Sequence, residues 1–307
     1  VRWALAGAIV AAALPVAGHG ATAPTAAVLL ARHAPVLVLH PDERFAPSGV
    51  EPFLAASDLL RRQPDGTWVA EAATALPVAG GPWRLDVRGC SPQVGLPSLD
   101  CYATAMPASA SERVVYGAVH RRPGRTILQY WLFYPYNLYS PSIPQRPDLW
   151  QAHEGDWEMV SVVLGADARP LYAAASRHCN GVRRDWGRVE RRGARPVVYV
   201  ALGSHANGFA AGTRVVDRAC WPQEALAIYK AYDVVLRDFA AVGRTVRPRV
   251  VPVTAAAPPW MAFTGTWGET QYVGFPTATL AYGTGPTGPA TKTAWREPLS
   301  IARWGPG

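Results

Sequence analysis

The sequence predicts a mostly β protein: an antiparallel β-sandwich with one long surface helix and long loops. Three observations predict it. Glycine and proline together supply 57 of 307 residues, a share that implies many turns and short elements. Twelve Trp and twelve Tyr favour strands over a helical bundle. Short β-branched or aromatic runs recur between turn residues. At 49% hydrophobic and 17% charged, the composition is globular, with ample apolar material for a core.

In chain order, residues 1–23 predict an export signal. Arg2 precedes an apolar run over 3–17, then small residues offer cleavage sites. That run is too short to span a bilayer comfortably. A single β-sandwich domain is expected over 24–307. A buried strand is expected over 34–40, and Ser48 could cap a short helix toward Leu60. His40, Asp42 and Glu43 cluster between them and are read as a structured turn. Residues 61–112 read as loop with short strands. Strands follow over 114–119 and 126–134, joined by a hairpin turn at 122–125. Pro141, Pro144 and Pro147 stiffen the loop that follows.

That loop runs into His153-Glu154-Gly155-Asp156-Trp157-Glu158, then an apolar run over 159–164. In an extended chain, Asp156 and Glu158 share a face and Trp157 takes the other. Gly155 permits a bend that could swing His153 toward the two carboxylates. One imidazole and two carboxylates suit a divalent cation. Carboxylate oxygens favour Ca²⁺ or Mg²⁺, and the histidine admits Mn²⁺ or Zn²⁺. The expected metal set is therefore His153, Asp156 and Glu158, and Asp148 could add an oxygen.

Further strands are expected over 171–176 and 196–202. His178 follows the first and His205 the second. In a sandwich, strand ends cluster on a rim, so His178 and His205 are expected to join the site as ligand-binding residues or as a general base. Arginines 183, 184, 188, 191, 192 and 195 read as a solvated hairpin; the sharper alternative is a contact for anionic head groups. A helix is expected over 222–242, begun by Pro222 and ended by Gly243. Trp260-Met261 reads as core or rim packing, with a membrane-touching tip as the alternative.

Cys90, Cys101, Cys179 and Cys220 make an even count in a chain expected to be exported, so two disulfides are expected. Of three pairings, Cys90–Cys101 with Cys179–Cys220 is favoured, the first closing a short Pro/Gly loop. The net charge is +8, with Lys230 and Lys292 as the only lysines. No basic run with interleaved aromatics suggests a nucleic-acid groove.

The chain resembles the vacuolar protein sorting-associated protein 62 family and its plant relatives. The resemblance rests on His40-Pro41-Asp42-Glu43, Trp131-Leu132-Phe133-Tyr134-Pro135, residues 153–158, Ser176-Arg177-His178, Gly203-Ser204-His205-Ala206 and Gly285-Pro286-Thr287-Gly288-Pro289 with Trp295. Residues 153–158 are also similar to the Gly-His-Arg-His-Asp-Trp-Glu heptapeptide of necrosis- and ethylene-inducing-like proteins. That resemblance implies a secreted sandwich holding a divalent cation through His153, Asp156 and Glu158. Ser176-Arg177-His178 and His205 look similar to further elements of that family. This chain departs from it at Glu154-Gly155 and at Cys179, and Asp148 is the one candidate for that family's additional Asp.

Three functions compete at this point. The first is an exported binding module for a glycan, glycolipid or phosphate head group, with peripheral membrane contact as an option. The second is a metal-dependent hydrolase; no G-x-S-x-G or H-E-x-x-H motif supports it. The third is a purely structural cation or hydrogen-bond cluster.

Overall fold

The computed structural model describes residues 24–72, 76, 81–94, 98–107, 113–140, 150–221, 226–254, 257–275, 278–303 and 305–306. The expected export signal and Asp148 lie outside these residues. In chain order the first strands are β1 (Val36–Leu39), β2 (Ser57–Arg62), β3 (Trp68–Ala70), β4 (Trp83–Val87), β5 (Val114–Arg122) and β6 (Arg125–Tyr139). Then come β7 (Gln151–Leu164), β8 (Pro170–Arg177), β9 (Asn180–Asp185), β10 (Arg191–Arg192), β11 (Arg195–Val200), β12 (Asn207–Gly208) and β13 (Gly212–Val215). The last are β14 (Arg237–Ala240), β15 (Thr245–Val246), β16 (Arg249–Pro252), β17 (Thr266–Trp267), β18 (Gln271–Phe275), β19 (Ala278–Gly283) and β20 (Gly305–Pro306).

The spine is β6 paired antiparallel with β7, from Thr126 opposite Leu164 to Tyr139 opposite Gln151. Both strands are buried along almost their whole length. Their side chains therefore do not alternate between apolar and polar, because both faces of the sheet are covered. Around them runs a seven-stranded sheet in the order β16-β5-β6-β7-β8-β9-β20. Phe53, Phe133, Trp157 and Trp267 meet on one side of this spine, with ring centroids 5.0 to 5.7 Å apart.

The protein is mostly β, as expected, but its sheets are mixed rather than antiparallel throughout. β1 runs parallel to β11, β16 to β5, β17 to β4 and β20 to β9. Parallel neighbours require long connections, and the chain supplies them by placing β2–β10 between β1 and β11. The second sheet follows β10-β11-β1-β15 with β12 beside β11, and the third follows β17-β4-β2-β3. Among the described residues no helix is long and apolar enough to cross a membrane.

The long helix expected over 222–242 is not formed. Only Leu226–Ala231 is helical, and residues 222–225 lie outside the description. Asp233 adopts a φ of 49° and ends it. Beyond it the pattern has period two: Asp238 and Ala240 are buried while Arg237 and Phe239 are exposed. That run is β14, held in register by β13. Cross-strand pairing overrides a helical spacing that the apolar residues share by coincidence.

Two smaller corrections have similar causes. Ser48 does not cap a helix; its hydroxyl donates to the Gly49 carbonyl at 3.2 Å. The helix there is Glu51–Ala56, with Pro52 in its first turn, and the chain continues as β2 rather than helix. Within 61–112, Ser98–Ala105 is helical and its Cys101 is bonded to Cys90. Cys179 is bonded to Cys220. Met261 is fully buried and Trp260 stacks on Trp157 at 5.7 Å, so the pair is packing rather than a membrane-touching tip.

Candidate functional site

The site begins at Gly155, in the middle of β7. Its φ is 56°, a left-handed conformation that a side chain disfavours. A Cβ there would fall 2.6 Å from the Trp267 carbonyl oxygen and 2.7 Å from the Trp267 Cβ. The neighbour in the way is backbone, which cannot yield cheaply. Gly155→Ala is expected to destabilise the fold by about 3 kcal/mol, measured by urea denaturation. A change within about 0.5 kcal/mol would show that this close approach is not real.

On either side of Gly155 the acidic residues part company. The Glu154 side chain is wholly buried. It accepts from the Tyr102 hydroxyl at 2.6 Å and from the backbone N–H of Val87 and Glu269 at 3.2 and 3.3 Å. Burial pushes its carboxyl up to about 8 against those three donors. Asp156 and Glu158 face a different group, His205.

His205 is the hub, and its side chain has no exposure. The residue itself has a φ of 51°. Its Nδ1 lies 2.9 Å from Asp156 Oδ2, and its Nε2 lies 3.5 Å from Glu43 Oε1. The ring stacks on Tyr134, with centroids 3.8 Å apart and planes 4° from parallel. Burial alone would lower the imidazole pKa. The Glu43 charge and the hydrogen bond to Asp156 outweigh it and raise the pKa to about 9. His205 is therefore an imidazolium at neutral pH. It has no lone pair with which to take a proton, which removes it as a general base.

Glu43 was expected in a turn without a partner. Its partner is His205, reached through the fold rather than the sequence. Burial would raise the Glu43 carboxyl, but the His205 charge, with N–H donation from Gly203 and Phe45, holds it below its ordinary value. His205 likewise holds Asp156 low against burial. Glu158 goes the other way: burial, then the Asp156 charge, push it well above the carboxylate range. Glu158 Oε2 also accepts from Ser176 Oγ and from Asn207 Nδ2, the latter at 3.3 Å. Of these two carboxyls, Asp156 carries the charge and Glu158 the proton.

His153 stands apart from this cluster. Its Nδ1 is 2.9 Å from the Gly155 carbonyl, where only donation is possible, so Nε2 is left as the acceptor. Burial lowers its pKa although the Asp156 charge opposes that. Among the described residues no three or more His, Cys, Asp and Glu side chains stand in the geometry of a metal site. The expected set of His153, Asp156 and Glu158 closes instead on His205, Ser176, Asn207 and its own backbone. The buried atoms Tyr134 Oη and Asn207 Oδ1 have no hydrogen-bond partner among the described residues.

His178 sits at the β8–β9 turn with a φ of 53°. Its Nε2 is 3.0 Å from both oxygens of Asp238, and Asp238 Oδ1 accepts from the Ser204 hydroxyl at 2.7 Å. Asp238 falls within the helix expected over 222–242; the alternation over 236–240 is in burial, not in residue type, so no sequence signal marks it. The Cys179–Cys220 disulfide fixes the same turn to the segment before the helix Leu226–Ala231. His178 and Glu158 line one cavity of about 540 Å³, together with Trp131, Trp157, Ser176, Asn180, Thr287, Thr291 and Lys292. The structure thus pairs Asp156 with His205, sets Glu158 within reach of the Asp156 charge, and brings Glu158 and His178, but not Asp156 or His205, to one cavity.

The expected arginine patch is partly committed within the protein. Arg183 lies over the Tyr172 ring at 4.4 Å and Arg191 over Trp186 at 5.5 Å. Arg184 donates to the Phe209 carbonyl at 2.8 Å.

A family model described as "Vacuolar protein sorting-associated protein 62" matches residues 21–279. No curated protein matches the chain in sequence. Among solved structures, it is similar at 15% identity to one described as "Toxin fold as basis for microbial attack and plant defense", covering 92% of this chain and 94% of that one, with a TM-score of 0.44. It is similar at 15% identity to "NLPPya in complex with glucosamine", covering 92% and 93%, with a TM-score of 0.41. It is similar at 16% identity to Necrosis and Ethylene inducing Protein 2 from the causal agent of cocoa's Witches Broom disease, covering 73% of this chain and 72% of that one, with a TM-score of 0.33.

Proposed function

The chain belongs to the vacuolar protein sorting-associated protein 62 family, and from the geometry of its site we propose that it is an exported protein that binds a sugar-like polar ligand beside Glu158. The observation that carries this reading is the composition of the cavity of about 540 Å³. Two nearly buried indoles, Trp131 and Trp157, line its apolar side. Glu158, His178, Asn180, Lys292 and the hydroxyls of Thr287 and Thr291 offer both donors and acceptors. A few convergent polar groups beside aromatic walls are what a polyol requires. The two disulfides support an oxidising, extracytoplasmic compartment.

A hard divalent cation is part of the proposal. Glu43, Asp156 and Glu158 crowd one buried region, and the unpaired Asn207 Oδ1 is a further oxygen donor. His153, donating from Nδ1 to a carbonyl, keeps Nε2 open in the manner of a metal-bound imidazole. Asp156, Glu158 and Asn207 would supply oxygens to the ion once the hydrogen bonds that now close the set give way, and His153, outside that cluster, would add a nitrogen only by turning toward it. The ion would offset the repulsion between the two acids and present a Lewis-acidic face to ligand hydroxyls. Hydrolysis has less support, because His205 is clamped and charged.

Titration calorimetry with glucosamine and neutral sugars, with and without Ca²⁺, tests the reading. Saturable binding is expected, weakened about tenfold in Glu158→Gln and in Lys292→Ala. A wild-type protein that gives no saturable heat with any of these sugars would overturn it.

A further inference from the structure

A second cavity, of about 400 Å³, lies on the other side of His178 and shares only His178 and Asn180 with the first. Its remaining walls include Arg177, Arg218, Asp217 and Val215. We propose that this cavity is a binding site for an oxyanion of the phosphate class, gripped by Arg177 and Arg218 with Asn180 at its edge.

The argument starts from unanswered donors. A guanidinium carries five N–H groups and accepts nothing, so a buried one demands acceptors. Arg177 Nε is buried with no hydrogen-bond partner among the described residues.

The charges are also out of balance. Arg177, Arg184 and Arg214 lie close enough that burial, then the Arg177 charge, push Arg214 below its ordinary value, with Asp238 opposing. Arg218 adds a further cation, resting over Trp221 at 5.5 Å. Two carboxylates are near, and both are engaged. Asp217 accepts from the Asn180 amide at 3.2 Å and from the Ala219 N–H at 2.9 Å. Asp238 accepts from His178 and Ser204. Like charges gathered around a cavity, with one orphaned guanidinium N–H in a wall residue, Arg177, are the arrangement that a multiply charged oxyanion relieves. A phosphate monoester supplies that charge with several acceptor oxygens. This site does not depend on the sugar reading, because Arg177 and Arg218 line only the second cavity.

The test is titration of the full chain with inorganic phosphate at constant ionic strength, followed by calorimetry and by ³¹P line broadening. Saturable binding is expected, about tenfold weaker in Arg177→Gln and in Arg218→Gln. Arg218 is exposed, so its variant keeps the proposal testable should Arg177→Gln misfold. Arg188→Gln, outside both cavities, and Glu158→Gln, in the first cavity alone, are expected to bind phosphate as the wild type does. No saturable phosphate binding, or an equal loss in Arg188→Gln, would overturn the proposal. Loss of sugar binding with phosphate binding intact would remove the earlier reading and leave this one. Glucose 6-phosphate and phosphatidylcholine vesicles with or without phosphatidic acid then separate a soluble phosphate from a lipid head group.

Discussion

Replacing His205 with alanine is expected to destabilise the protein by about 3–5 kcal/mol, because it strands two buried carboxylates without their shared cation. Glu43 and Asp156 lie on either side of that ring. Chemical denaturation of the wild type and His205→Ala measures the loss; a cost below about 1 kcal/mol would show that the ion pairs are not formed in solution. The pH dependence has a definite sign. The folded imidazole titrates near 9 and the unfolded one near 6.5. Its stabilisation is therefore complete below pH 6.5 and is lost as pH rises through 9, a span of ~3 kcal/mol. The lowered carboxyls of Glu43 and Asp156 contribute above their ordinary values and lose that contribution as pH falls. His205→Ala should flatten the decline between pH 6.5 and 9.

Glu154→Ala is expected to cost a similar amount, about 3–5 kcal/mol. The Tyr102 hydroxyl and two backbone N–H groups would lose their acceptor inside the protein. Here burial opposes ionisation, so the sign reverses relative to a paired carboxylate. The folded carboxyl titrates near 8 and the unfolded one near 4.5. Its contribution is greatest below pH 4.5 and declines as pH rises through 8. Glu154→Gln removes that titration; its amide oxygen can accept from both N–H donors, but its amide NH2 then faces the Tyr102 hydroxyl, which must turn from donor to acceptor. Thermal melts across pH should show Glu154→Gln losing the slope between pH 5 and 8 while remaining less stable. A variant with wild-type slope would place the titration elsewhere.

Much of the scaffold was legible because its strands carry their own signal. The runs at β5, β6 and β11 are β-branched or aromatic and bounded by turns. The hairpin turn between Arg122 and Arg125 is likewise local. The approach of His205 to Asp156 is of the kind that clustered strand ends suggest. What could not be read depends on distant partners. Glu43 looks like any loop acid until His205 arrives from the far side of the fold. Asp238 looks helical until β13 pairs with its strand. His153 shares a hexapeptide with Asp156, yet its ring turns to the Gly155 carbonyl, a choice set by one left-handed glycine and by Trp267 packed against it.

The parallel pairings carry a consequence for biogenesis. Val36 needs Val197, Arg84 needs Thr266, and Val182 needs Gly305 before each ladder can close. A ribosome-bound nascent chain cannot satisfy these partnerships until Gly305 has left the exit tunnel. Slow, non-local assembly of this sort leaves sticky strand edges exposed meanwhile. A late premature stop, even one that spares every residue lining the His205 cluster, is expected to yield inclusion bodies rather than a shortened native protein.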